Sequence, residues 1–369
     1  MTLPAWPWRL FCTQDPRGWI LDSPEPGARW AVLTGVLDRY EDDPEVVAAH
    51  SDLLLDPATS GLVDRIVDWE AGERISGHES PKFLPNLLHL LADMGVRAGD
   101  FHRVDAACEQ MLRHQDDSGR FLSYFPTGSS EGPAWGVLLC DTHAVIEVLV
   151  RFGHGDDPRV RRGLARMAAD LADTAQGPAW PCLPGSVNEF RGPGRVHDFC
   201  PQVTLEALRT WGRLPEQDRP ADLLASARVA LAAWQHRAEH KPYQFGHGLA
   251  FRTVKWPPTW YRALELLDTL GRFPALWRGQ DARQVDRVAL AELLACLVTA
   301  NLDDAGRVVP RSTYRGFEGY SFGQKKEPSA FATAVVLGVL HRLDDLAPEA
   351  RAVDIEALWD HAAGRRGGQ

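Results

Sequence analysis

Gln115-Asp116-Asp117-Ser118-Gly119-Arg120-Phe121 follows one charged helical stretch of this chain, and Asn301-Leu302-Asp303-Asp304-Ala305-Gly306-Arg307-Val308 follows another. Each reads as a polar turn with a glycine that reverses the chain from an outer helix toward the next inner one. Outward from these turns the apolar periodicity is helical nearly throughout. No convincing run of alternating β-branched residues appears, so the chain is expected to be all-α. One class of segment is rich in Leu, Val and Ala on more than one face: Trp30 to Leu37, Phe83 to Gly95, Asp141 to Gly153, Pro201 to Leu214, Pro258 to Phe273 and Pro328 to Leu343. Their starts lie 53, 58, 60, 57 and 70 residues apart. Such helices should be buried on most sides. Between them lie charged, one-sided helices, His102 to His114, Pro158 to Ala172, Ala221 to Arg237, Val285 to Thr299 and Val353 to His361, which should form an outer layer. Six inner helices alternating with outer ones predict a closed toroid of helix pairs, with an open solenoid as the competing arrangement.

The composition narrows the function. The chain has 369 residues, 44% hydrophobic and 24% charged, with 40 Lys and Arg against 50 Asp and Glu for a net charge of −10. That balance excludes disorder, collagen-like repetition and a mainly nucleic-acid-binding role. The longest clean apolar stretch, Ala334 to Leu340, falls far short of the roughly 20 residues that a membrane span needs. Met1 to Cys12 has two prolines and two tryptophans and lacks a basic region followed by an apolar core, so a cytoplasmic protein is expected. Six cysteines are present, and disulfides are not expected. Cys12, Cys108 and Cys296 read as packing residues.

The unit of outer helix, Asp-Asp-Ser/Ala-Gly-Arg-Phe/Val turn and inner helix resembles the repeat of the terpenoid cyclase and protein prenyltransferase β-subunit superfamily. The resemblance covers roughly Trp30 to Leu343. It implies an (α/α)6 toroid, a barrel of six inner and six outer helices, with the whole chain, 1–369, as one domain and its repeats spanning about 30–343. The segments Phe245 to Gly271, with Trp256-Pro257-Pro258-Thr259-Trp260-Tyr261, and Arg315-Gly316-Phe317 to Lys326-Glu327-Pro328-Ser329 also resemble uncharacterised bacterial prenyltransferase-repeat proteins. For that group the resemblance implies a fold and no reaction.

The sharpest local signal is Cys140-Asp141-Thr142-His143 at the start of the third inner helix, followed by Cys182 and then by His197-Asp198-Phe199-Cys200 ahead of the fourth. Residues three apart on a helical turn project to one side, so each pair can present two ligands to one ion. Cys140, Cys182, His197 and Cys200 are therefore the expected metal ligands, with His143 as the alternative histidine, and soft S and N donors at tetrahedral count select zinc. Four protein ligands would make the site structural, and three with an open position would make it catalytic. Protein prenyltransferases hold a catalytic zinc with Asp, Cys and His at the starts of inner helices. The resemblance carries over only the possibility of zinc, because the order and spacing here differ from that family's Asp-x-Cys.

Carboxylates offer less. The acidic pairs Asp42-Asp43, Asp156-Asp157, Asp303-Asp304 and Asp344-Asp345 sit beside Pro, Gly or a helix end and read as caps. Neither an Asp-x-Asp-Asp motif nor an Asp-Asp-x-x-Asp motif on an apolar helix is present. The catalytic candidates are Asp141, His143, His247 and Tyr261. Trp256, Trp260, Tyr314, Arg315, Tyr320 and Lys325 are expected to bind substrate in aromatic and cationic loops at one mouth of the barrel, with His78, Glu79 and Lys82 as weaker candidates there. Together these point to a zinc-dependent transferase or cyclase acting on a small apolar or thiol-bearing substrate. The alternatives are a non-catalytic binding protein with a structural zinc and a metal-free cyclase. The last would need a buried, protonated carboxylic acid, to which the sequence does not point.

Overall fold

The computed structural model describes residues 3–71, 77–125, 134–185, 197–221, 223–239 and 245–358. The chain is mostly helical. Six helices form an inner set: Pro26–Gly35, Leu84–Met94, Leu139–Arg151, Pro201–Arg213, Ala263–Leu270 and Ala330–Arg342. An outer helix follows each of them in turn: Pro44–Leu55, His102–Arg113, Pro158–Ala169, Leu223–Gln235, Gln284–Asn301 and Ala347–Arg351. Each inner helix packs on the next, and the sixth packs on the first, so the contacts run around a closed circuit. At that closure Gly35 and Gly338 meet with bare backbones. An open solenoid would hold its first and last repeats apart.

Local chemistry sets the helix ends. Pro44 and Pro158 open their helices with a fixed φ, and Asp43 and Asp157 before them accept from the N–H groups of Glu45 and Arg159. The second inner helix stops at Gly95, whose φ of 107° suits glycine. The two turns quoted above are alike in detail. Asp116 and Asp303 each accept from the main-chain N–H four residues on, Gly119 and Gly306 have positive φ, and isolated bridges join Gln115 to Phe121 and Leu302 to Val308. Asp344 and Asp345 are not caps as expected. Asp344 accepts from the Trp8 indole at 2.7 Å and Asp345 from the Trp277 indole at 2.9 Å, which fastens the N-terminal segment and the fifth repeat to the sixth.

The strand content is small and local. Ser123–Phe125 pairs with Ala134–Gly136, Ala172–Thr174 pairs with Gly177–Ala179, and Lys255–Trp256 runs parallel to Ser312–Thr313. Runs of two or three residues are too short to leave a period in the sequence. The first outer helix, Pro44–Leu55, was not anticipated. The last was expected at Val353 to His361, partly outside the described residues, and the outer segment that packs on the fifth outer helix is Ala347–Arg351.

A continuous apolar core lies between the two sets of helices, with Leu88, Leu91, Ile146, Leu149, Leu208, Leu267 and Leu337 nearly or fully buried. Each such side chain contributes about 1.5–3 kcal/mol relative to leaving it exposed. The inner helices run parallel. Their starts gather at one end, where Ser321 donates to Glu25 and touches Ser329, and their ends gather at the other, where arginines and carboxylates pair.

Candidate functional site

At the end where the inner helices start, Cys140 and Asp141 occupy the first turn of the third one and His78 sits in the segment before the second. The Cys140 Sγ lies 3.7 Å from His78 Nδ1, and Asp141 Oδ1 lies 3.4 Å from that nitrogen and 3.6 Å from the sulfur. One ligand atom from each of the three residues falls within 4.8 Å of the others. The surroundings fix all three. Asn86 Nδ2 donates to the carbonyls of His78 and Ser80, and the buried Ser123 donates to Asp141 Oδ2 at 2.6 Å. Thr259 and Tyr314 donate to the carbonyl of Glu79. Trp260 stacks on the His78 ring at 4.7 Å with planes 11° apart. Trp260 has a φ of 67°, a backbone state that costs a bulky residue on the order of 1–3 kcal/mol and is held here by its packing.

The electrostatics of the cluster favour a cation. Burial would lower the His78 pKa, yet the hydrogen bond and charge of Asp141 outweigh it and the net shift is upward. Burial, followed by the charges of Asp141 and Glu206, holds the Cys140 thiol well above its usual value. Cys140 is therefore no nucleophile by itself, since reactivity belongs to the thiolate. Cys200, beside Pro201 at the start of the fourth inner helix, has its thiol raised first by a hydrogen bond to Cys182 and then by burial. The three cysteines thus gather at one end as expected.

The histidines do not. His143 is fully buried with Nδ1 3.2 Å from the Val203 carbonyl and its ring edge-on to Trp180, and burial lowers its pKa to about 4. Three residues advance roughly 300° around a helix, so His143 enters the seam with the fourth inner helix while Cys140 faces the second. His197 is exposed, and among the described residues it joins no group of metal-ligating side chains. His78, 62 residues before Cys140, completes the cluster. No spacing rule could have found it, because the ring of helices brings it there.

The loop residues are dispersed. Trp256 is fully buried in the core. His247 Nε2 lies 3.1 Å from the Tyr261 hydroxyl inside an aromatic group with Phe251 and Trp234, and burial pushes the Tyr261 phenol up. Tyr314 carries Lys255 over its ring at 3.7 Å, and Tyr320 donates to the Ala58 carbonyl. Arg315 and Lys325 are exposed. Of these residues only Trp260 lines the central cavity.

That cavity measures about 280 Å³, and its walls mix apolar side chains such as Trp30, Leu264 and Val335 with charged ones. Near the cluster, Gln202 donates to Glu206 Oε1 at 2.7 Å, while Glu206 Oε2 and both oxygens of Glu265 are buried without hydrogen-bond partners. Burial raises both carboxyls to about 8, so each is largely protonated at neutral pH. Sequence reasoning missed them because a single Glu inside an apolar helix has no motif. Toward the helix ends, Arg151 pairs with Asp93 at 2.6 Å, Arg209 and Arg213 pair with Glu147 at 2.6 and 2.8 Å, and Arg272 and Arg342 share Asp268. Burial alone would raise Glu147, but Arg209 together with the other surrounding cations outweighs it and holds the carboxylate well below its usual range.

No protein-family model and no curated protein matches the chain. Among solved structures the chain is similar to a type II terpene cyclase from Scytonema, determined in complex with its substrate geranylgeranyl dihydroxybenzoate. The two are 15% identical over 91% of this chain and 95% of that one, with a TM-score of 0.42. At that level the likeness assigns neither a reaction nor a residue role.

Proposed function

We propose that the chain is an (α/α)6-toroid enzyme that acts on a small molecule in its central cavity, with zinc held at the mouth by His78, Cys140 and Asp141. The observation that carries this reading is the convergence of one nitrogen, one sulfur and one oxygen donor within 4.8 Å. Trp260 joins that cluster to the cavity, since it both stacks on His78 and lines the cavity wall. Mixed S, N and O donors suit zinc, and a buried thiol raised by neighbouring carboxyls needs a cation to ionise. Three protein ligands leave a position for substrate, and a bound zinc would act there as a Lewis acid toward a thiol, hydroxyl or water.

The protein's own groups have defined tasks. Asn86 and Trp260 orient the His78 ring, and Ser123 fixes Asp141. Glu206 carries a proton at neutral pH and has one oxygen free of protein partners, so it can donate that proton to a group in the cavity. The same carboxyl, with Glu265, favours a second reading in which the enzyme is metal-free and works by acid catalysis. A closed structural site would instead recruit Cys182 and Cys200.

Cobalt(II) titration of reduced protein tests the first reading. It predicts one equivalent per chain with a thiolate-to-cobalt absorption band that Cys140→Ala abolishes. If wild type takes up no cobalt, the metal is ruled out and Glu206 remains as the reactive group, and if Cys140→Ala takes up as much as wild type, the ligand set is wrong.

A further inference from the structure

We infer that the end of the cavity opposite the cysteine cluster binds a doubly charged oxyanion, a phosphate or a pair of carboxylates, between Arg209, Arg213, Arg272 and Arg342. This rests on the reading of the cavity as the substrate site and names the substrate's anionic part.

Charge and hydrogen bonding carry the inference together. Five guanidinium groups, counting Arg151, line this end, against the three carboxylates Asp93, Glu147 and Asp268 that pair with them. His89 adds no positive charge, because burial holds it well below its usual pKa. Two positive charges are therefore unmatched on half-buried side chains at the cavity wall, where water screens an unpaired charge only in part. The partial negative charge at the helix ends, about half a unit each, makes arginines tolerable there. It does not consume their donors. Of the five, and among the described residues, only Arg151 gives a hydrogen bond to a main-chain carbonyl, that of His89.

Arg209 and Arg213 each donate through Nε to Glu147, and among the described residues no acceptor meets their terminal nitrogens. Arg272 and Arg342 each spend one terminal nitrogen on Asp268, and their Nε atoms are buried without a partner. Burial first, and then the neighbouring Arg213, push the Arg272 pKa down to about 9. Guanidinium forks with free N–H groups match the paired oxygens of phosphate or carboxylate. A substrate anchored there would extend past Glu265 and Glu206, which line the same cavity of about 280 Å³, toward Trp260, whose ring stacks on His78.

Calorimetric titration of the full chain with inorganic phosphate, and separately with succinate, at constant ionic strength made up with chloride, tests the site. One saturable site for at least one of the two is expected, and the tighter binder identifies the source of the charge. Arg213→Met keeps Glu147 paired with Arg209 and should weaken binding by about tenfold or more. Should Arg213→Met fail to fold, the wild-type melting temperature provides the second readout, rising with phosphate or succinate but not with chloride. Cys140→Ala should bind the anion as wild type does, so a failure of the metal reading leaves this result intact. The inference is overturned if neither anion binds wild type, if folded Arg213→Met binds equally well, or if Cys140→Ala loses the anion.

Discussion

Gly35 on the first inner helix faces Gly338 on the sixth, and the Gly338 Cα lies 4.0 Å from where a Cβ on Gly35 would stand. The circuit of helices closes at this contact, and both residues line the cavity. A methyl group fits at ordinary contact distance, so Gly338→Ala should change stability by less than about 1 kcal/mol, helped by its helix propensity. Gly338→Leu should cost about 1–3 kcal/mol by wedging the closure apart. Urea denaturation of the two variants checks the contrast.

Gly95 ends the second inner helix with φ 107°, and a Cβ there would come within 2.5 Å of the Trp30 ring. Strain and clash act together. Gly95→Ala should cost roughly 2 kcal/mol or more and should shift tryptophan emission as Trp30 is displaced toward the cavity. An unchanged midpoint and spectrum would contradict the packing described.

Glu265 gives a pH signature. Its carboxyl stands at about 8 in the folded protein against a usual 4.5, so the folded state holds the proton more tightly than the unfolded chain. The stabilising contribution is full below about 4.5 and is lost as pH rises through about 8. Glu265→Gln should therefore gain stability relative to wild type between pH 5 and 8, by roughly 2–4 kcal/mol. Parallel denaturation curves at both pH values measure it, and a constant difference would mean that the group titrates normally.

Much of this architecture was legible in the sequence. The inner helices are apolar on several faces because they pack on two neighbours and an outer helix, and that pattern survives in the primary structure. The ends of Leu84–Met94 and Pro201–Arg213 fall within a residue or so of expectation. The cysteines were legible as a group because Cys140 and Cys200 both sit at helix starts. His78 was legible only as a weaker candidate at the mouth and not as a ligand, and Glu206 and Glu265 were not legible, for a physical reason: their surroundings come from the ring, which sets residues about 60 positions apart side by side. The arginines at the helix ends form no motif, and it takes the folded ring to show that pairs of them share Glu147 and Asp268.

Cys296 separates packing from ligation. It is fully buried in the fifth outer helix, where burial lifts its thiol to about 12. Cys296→Ser should cost about 1–3 kcal/mol, because it buries a hydroxyl in an apolar setting, and should leave metal content unchanged. A loss of metal in this variant would show that metal retention merely follows stability.

The central claim is tested most directly by elemental analysis of metal per chain in wild type, His78→Ala and His197→Ala, purified reduced and without chelator. The account predicts about one zinc in wild type and in His197→Ala, and little or none in His78→Ala. Full zinc in His78→Ala with loss in His197→Ala would contradict it, as would wild-type protein without metal.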